Sequence, residues 1–175
     1  MKPILEYIIS KSSKRYVIKA TNKTIHQIVR EEFDRLGPES YLNHIDVSEV
    51  EYMGGLFNAK TMNHMISSAY NYVSISKDNN GIYGYKEFED FNCDISKWNV
   101  SKVKDMCCMF YKCHRFNCDI SNWDISKVMN FNHMFDECKN FDKDLSSWKI
   151  NHKAQKNDMF LGCPLPFDKQ PNLDL

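Results

Sequence analysis

Residues 91–113 read FNCDISKWNVSKVKDMCCMFYKC, residues 116–138 read FNCDISNWDISKVMNFNHMFDEC, and residues 141–163 read FDKDLSSWKINHKAQKNDMFLGC. Laid over one another, they coincide every 25 residues. Phe91 falls on Phe116 and Phe141, Trp98 on Trp123 and Trp148, Met109-Phe110 on Met134-Phe135 and Met159-Phe160, and Cys113 on Cys138 and Cys163. A fixed period of this length marks a repeat architecture, in which a unit buries its apolar face only by stacking on its neighbours.

Two apolar patterns sit inside each copy. Ile95-x-x-Trp98-x-Val100, with Ile120, Trp123 and Ile125 and then Leu145, Trp148 and Ile150, has the L-x-x-L-x-L spacing of a leucine-rich repeat. Its last two sites alternate with polar residues, which predicts a short half-buried strand. Met106, Met109, Phe110 and Cys113 fall at i, i+3, i+4 and i+7, which predicts one face of a short helix. The expected fold class is therefore α/β, a leucine-rich-repeat-like solenoid of short parallel strands and short helices.

An earlier copy extends the pattern towards the N-terminus. Ile45-Asp46-Val47-Ser48-Glu49-Val50 matches Trp98-Asn99-Val100-Ser101-Lys102-Val103, and Met53, Leu56 and Phe57 match Met106, Met109 and Phe110. The offset is 53 residues, two periods plus three, so residues 58–90 are expected to hold a degenerate copy with a small insertion. Ile66, Tyr70, Val73 and Ile75 are its expected core, and Asn79-Asn80-Gly81 marks a turn.

Residues 1–41 read as an N-terminal helical cap, residues 42–163 as the repeat unit and residues 164–175 as a tail. Within the cap, Pro3 to Ser12 is expected to be helical. Thr24-x-x-Gln27 reads as a capping box, opening a helix with a stripe of Ile25, Ile28, Val29, Phe33 and Leu36 that Gly37-Pro38 ends. In the last copy Lys153 and Lys156 stand where Val103 and Met106 stand, as suits a copy with no neighbour beyond it.

Composition excludes some classes. The 23 basic and 23 acidic side chains cancel, which argues against a basic nucleic-acid binder. No run of apolar residues is long enough to span a membrane. Glu6 interrupts the only apolar run near Met1, which does not read as a secretory signal. Seven cysteines cannot all pair internally, and reduced thiols in a cytoplasmic setting are expected, the host cytoplasm if the chain is viral.

These residues carry a family resemblance. The two units beginning Phe91 and Phe116 resemble the repeat of the BspA-like leucine-rich repeat proteins, also found in mycoplasma lipoprotein-type surface proteins. The stretch from Thr24 through Gly37-Pro38 to Ile45-Asp46 resembles the helix that precedes the first repeat there. The resemblance implies a right-handed leucine-rich-repeat-like fold and binding of other proteins, as adhesins or antigens at a surface. It implies no catalytic residues.

The clusters with chemical potential have plainer readings beside them. Cys107-Cys108, Cys113-His114 and Cys118 offer ligands of the kind zinc takes, but the recurrence of cysteine at 113, 138 and 163 reads as a packed ladder. The tryptophans could stack on bases, yet their repeat position faces the core. No catalytic motif, resident metal site or cofactor site is read. The outward positions of the expected strands form a polar array: Lys97, Asn99 and Lys102; Asn122, Asp124 and Lys127; Ser147 and Lys149. These are the expected partner-binding residues. The expected function is a non-catalytic protein–protein interaction module of unknown oligomeric state, of the viral or phage kind that engages or inhibits a host protein. The alternatives are a BspA-like cell-surface adhesin or antigen, and a metal-binding or redox protein built on the cysteine cluster.

Overall fold

The computed structural model describes residues 16–59 and 86–173. The helix expected at Pro3 to Ser12 and the degenerate copy's residues 60–85, with Asn79-Asn80-Gly81, lie outside the described residues. Among the described residues there is one α-helix, α1 (Ile25–Leu36), and one sheet of two parallel strands, β1 (Ile18–Lys19) and β2 (Ile45–Asp46). Short 3-10 turns occupy Lys86–Asp90 and Phe167–Lys169.

This corrects the expected fold class. The strands and helices of a leucine-rich-repeat-like solenoid are not what the repeats form; each copy is a chain of tight turns. Backbone N–H groups donate three residues back at Trp98→Ile95, Val103→Val100, Met109→Met106, Cys113→Phe110 and Phe116→Cys113. An apolar side chain stands at each end of these turns, so the spacing that reads as helix or strand is the spacing of successive turns.

Two local causes replace the expected elements. On the Trp side, Asp94 Oδ1 accepts from the Ser96 N–H at 3.0 Å and Asn99 Oδ1 from the Ser101 N–H at 3.2 Å. Such Asx turns claim donors that a strand ladder would need. On the Met-Phe side, Cys108, His133 and Asp158 have φ of 52°, 55° and 53°, and Lys112, Glu137 and Gly162 have φ of 61°, 61° and 66°. A right-handed helix cannot contain left-handed residues, so the Met-Phe segment turns instead of coiling into a helix.

The copies meet backbone to backbone along the Met-Phe side. Met106, Cys108, Phe110 and Lys112 donate their N–H groups to the carbonyls of Asn130, Asn132, Met134 and Asp136 at 2.9–3.0 Å. Phe131, His133, Phe135 and Glu137 donate in the same way to Gln155, Asn157, Met159 and Leu161. Met53, Gly55, Phe57 and Ala59 donate to Asp105, Cys107, Met109 and Tyr111. The earlier copy therefore bonds directly to the copy that begins at Phe91, at the 53-residue offset, and Tyr52 bridges Asp105 in parallel register. Asp105, Asn130 and Gln155 continue that column of bridges.

Inside the coils, phenyl rings stack in two files. Phe57, Phe110, Phe135 and Phe160 follow one another with centroids 5.5, 5.6 and 5.3 Å apart. Phe91, Phe116 and Phe141 form the second file at 5.8 and 5.6 Å. Cross-contacts of 3.9 Å (Phe57–Phe91) and 4.0 Å (Phe110–Phe116) join the files. Offset stacking of this kind suits the ring quadrupoles and adds to the apolar area each ring buries.

Helix α1 lies over the first copy and buries Ile25, Val29, Glu32 and Phe33, while Leu36 stays 39 % exposed. The expected capping box is absent. Thr24 Oγ1 accepts from the Thr21 N–H, and Gln27 pairs with Glu31 one turn along. Gly37 ends the helix at φ 88°, its N–H returned to the Phe33 carbonyl. Buried Glu32 ties the helix to the chain entering the first copy by accepting from His44 Nε2 at 2.6 Å and from Arg35. In the last copy the second Trp-side turn slips by one residue. Ala154, not Lys153, fills the inward place, its N–H bonded to the Asn151 carbonyl.

Candidate functional site: an exposed face of repeated turns

The eight predicted partner-binding residues are all exposed: Lys97, Asn99, Lys102, Asn122, Asp124, Lys127, Ser147 and Lys149. They do not stand on strands. Between residues 95–103 and 120–128 no backbone hydrogen bond is formed, and the eight occupy turn corners and the links between them. Lys97, Asn122 and Ser147 hold the third position of the Ile-Ser-x-Trp turns; Lys102 and Lys127 hold the same place in the turns that follow.

The corners line up from copy to copy. Lys102 Nζ reaches Glu49 Oε1 of the earlier copy at 2.7 Å, and Lys104 Nζ reaches Glu51 Oε2 at 2.9 Å. Asn99 and Asp124 spend their side chains locally, accepting from Ser101 and Ser126. Hydrogen bonds from Ser126 hold the Asp124 carboxyl below its usual range. Lys149 lines a shallow open cleft of about 380 Å³ with Ser126, Ile150, Asn151 and His152.

The tryptophans stand behind this face with 4–5 % of their surface exposed, so they offer no stacking platform. Trp98 Nε1 donates to the Leu42 carbonyl at 3.0 Å and Trp148 Nε1 to the Ser121 carbonyl at 3.2 Å. Trp123 Nε1 is buried with no partner among the described residues.

The cysteines do not converge. Cys113 Sγ donates to the Phe57 carbonyl at 2.9 Å and Cys138 Sγ to the Phe110 carbonyl at 3.0 Å, the former three residues past the 53-residue offset and the latter three past the 25-residue period. Burial pushes both thiols well above their ordinary range. Cys93 is wholly buried against Ser40 and the Pro38 carbonyl. Cys118, the thiol nearest solvent on the Trp side, is pushed by burial up to about 11. The thiols of Cys107 and Cys108 lie 3.5 Å apart. Burial opposes ionisation of Cys93, Cys113, Cys118 and Cys138, which makes them poor thiolates and hence poor nucleophiles and metal ligands. Among the described residues no group of three His, Cys, Asp or Glu side chains is arranged to hold a metal ion, and no helix is long and apolar enough to cross a membrane.

Sequence reading missed the turn chemistry behind the face. Its signal is the recurrence of Asp or Asn two residues before Ser, at 46, 94, 99, 119, 124 and 144. It also missed the two left-handed positions, marked only by Gly55, which stands at the place of Cys108, and by Gly162.

These features define a tandem-repeat protein with a stacked-phenylalanine interior and a polar face of turn corners. The chain belongs to the family described as Mycoplasma protein of unknown function, DUF285, whose model matches residues 79–170, just over half of the chain. No curated protein matches the chain. No solved structure matches it.

Proposed function

We propose that this chain is a non-catalytic protein-binding module, acting in the cytoplasm, that meets its partner through the face of turn corners. The observation that carries this reading is the exposure of all eight corner residues over a rigid interior. At the first corner the backbone is set by the Asx turns of Asp94, Asp119 and Asp144, so the corner side chain varies from copy to copy (Lys97, Asn122, Ser147) without cost to the stack. A regular array of unlike polar groups on one rigid surface is how repeat proteins recognise other proteins. The resemblance of the repeats to BspA-like proteins supports the same class of function. The buried tryptophans and the balanced charge favour a protein over a nucleic acid as partner.

The test changes Asn122→Lys, Lys127→Glu and Lys149→Glu together. Their side chains form no hydrogen bond or ion pair among the described residues, so the fold should be kept, as an unchanged melting temperature would show. Partners captured from a cell extract by the wild-type chain should be lost from the triple variant. Capture that survives all three changes rules the face out.

A second reading is a cell-surface adhesin or antigen of the BspA-like type, favoured by the Mycoplasma description of the family. Labelling intact cells with a membrane-impermeant reagent separates the two: a labelled chain is at the surface, an unlabelled one inside.

A further inference from the structure

The ladder on the Met-Phe side runs one way. Each copy donates N–H groups forward and accepts through carbonyls from behind. The residues equivalent to Phe131, His133, Phe135 and Glu137 in the last copy are Lys156, Asp158, Phe160 and Gly162. Their N–H groups have no acceptor among the described residues. Their carbonyls are no counterweight: those of Lys156, Asp158 and Phe160 already accept from Met159, Leu161 and Cys163 within the copy's own turns. The edge is therefore donor-only.

It is also already shaped. Asp158 and Gly162 hold the same left-handed φ, 53° and 66°, as their counterparts in the copies that are paired. The described tail, residues 164–173, does not cover it. Residues after Cys163 return to the other half of the last copy, where the Leu145 N–H donates to the Lys169 carbonyl and Lys169 Nζ to the Asp142 carbonyl.

Polarity excludes two occupants. Two such edges from a symmetric pair of chains would set donor against donor. A head-to-tail pair needs the acceptor edge of the first copy, and α1 lies over it, with His26 Nε2 donating to the Gly54 carbonyl at 3.3 Å. What fits is a segment that supplies acceptors. The charges beside the edge give its sign: Lys156 stands on it where earlier copies have Met106 and Phe131, and Lys153, exposed in the turn before it, adds a second cation against one carboxylate, that of Asp158. Leu161, 57 % exposed, adds an apolar contact beside them.

We propose that this edge binds an extended acidic peptide segment of a protein partner, whose carbonyls accept from the N–H groups of Lys156, Asp158, Phe160 and Gly162. It is the acceptor half of strand addition: the peptide's alternate carbonyls meet the edge and its own N–H groups between them stay with water, main-chain bonds giving affinity and the lysines selection. The inference rests on the protein-binding reading above but uses a different surface.

The probe is a fluorescein-labelled octapeptide alternating Glu and Val, titrated onto the full chain by anisotropy, with amide hydrogen exchange followed by NMR. The expected result is saturable binding that slows exchange at Lys156, Asp158, Phe160 and Gly162. A Lys–Val octapeptide should bind at least tenfold more weakly, and the double variant Lys153→Glu, Lys156→Glu should weaken Glu–Val binding about tenfold. Absence of binding, binding with those four amides unprotected, or equal binding of both peptides overturns the proposal. Protection of the same amides by an oligothymidylate in place of the peptide overturns it too. The Asn122→Lys, Lys127→Glu, Lys149→Glu variant should still bind the octapeptide, so failure at the edge and failure at the turn face are read separately.

Discussion

On the Met-Phe side of the stack, neighbouring copies share backbone hydrogen bonds, stacked rings and buried thiols. On the Trp side residues 95–103 and 120–128 share no backbone hydrogen bond, and each turn is closed by its own Asp or Asn. The links across include the Trp98 and Trp148 indoles and, in the first pair, the backbone of Leu42, Asn92 and Asp94. The first arrangement couples every copy to the next, so a change there disturbs two interfaces. The second is local and leaves the corner residues free to differ. One repeat thus separates what must stay constant from what can vary, and that is why the varying side is the one proposed to meet a partner.

The largest test of the contrast is Phe110→Ala. Phe110 is fully buried and stacks on Phe57, Phe116 and Phe135, so truncation should cost about 3–5 kcal/mol in denaturant unfolding. The exposed corner change Asn122→Ala should stay within about 0.5 kcal/mol. Equal losses would break the comparison.

Next comes the pair Trp98→Phe and Trp123→Phe. Both remove similar apolar surface, but only Trp98 gives up a hydrogen bond, to the Leu42 carbonyl. Trp98→Phe should be the costlier by about 1 kcal/mol, measured by the same unfolding experiment.

A smaller effect of opposite sign is expected on the ladder side. Lys112 holds φ 61°, a strained setting for a side-chain-bearing residue. Lys112→Gly relieves that strain and loosens the unfolded chain, for a net gain below about 1 kcal/mol in thermal or denaturant melts. A loss would mean that the Lys112 side chain, near the Tyr111 ring, matters more than its backbone.

The least effect at neutral pH, but the most diagnostic, is the acid response. Burial opposes ionisation of Asp94, yet hydrogen bonds from Ser96 outweigh it and hold the carboxyl below its usual range. A group depressed in this way stabilises the fold above the ordinary carboxylate pKa of about 4, and that contribution is lost as pH falls through the depressed value. Burial instead pushes Asp105 and Asp136 on the ladder side up. Their charged forms are the unfavourable ones, so the fold should gain from them as pH falls from neutral through their raised values towards about 4. Asp94→Asn should flatten the acid limb below about pH 4. The turn should survive, because Asn99 and Asn151 close the same turn here. Asp136→Asn should remove part of the gain above that pH. Unfolding curves from pH 7 to pH 2 check both.

The repeat register and the interior were legible in the chain. Period and apolar type place Ile95, Trp98, Val100, Met106, Met109, Phe110 and Cys113 inside, and all are buried. The local conformation was not legible from apolar spacing, because turns closed three residues apart put side chains inward at 3, 5 and 8 residues just as strands and helices do. Cys108 and Lys112 give no hint of left-handed backbone unless they are aligned with Gly55 and Gly162. The eight candidate residues were placed correctly as exposed but wrongly as a sheet face, for the same reason. The donor edge could not be read at all, since which N–H groups are left over depends on the direction of stacking.

That direction bears on how such proteins change length. A coil added after the last one would take up the four waiting amides and present four of its own, leaving the terminus chemically as it was. Tandem duplication of 75 nucleotides, the coding length of one 25-residue unit, could therefore lengthen the protein without any change to the helix at the other end. In a lineage that gains and loses units, the corner residues would diversify while the terminal chemistry stays the same.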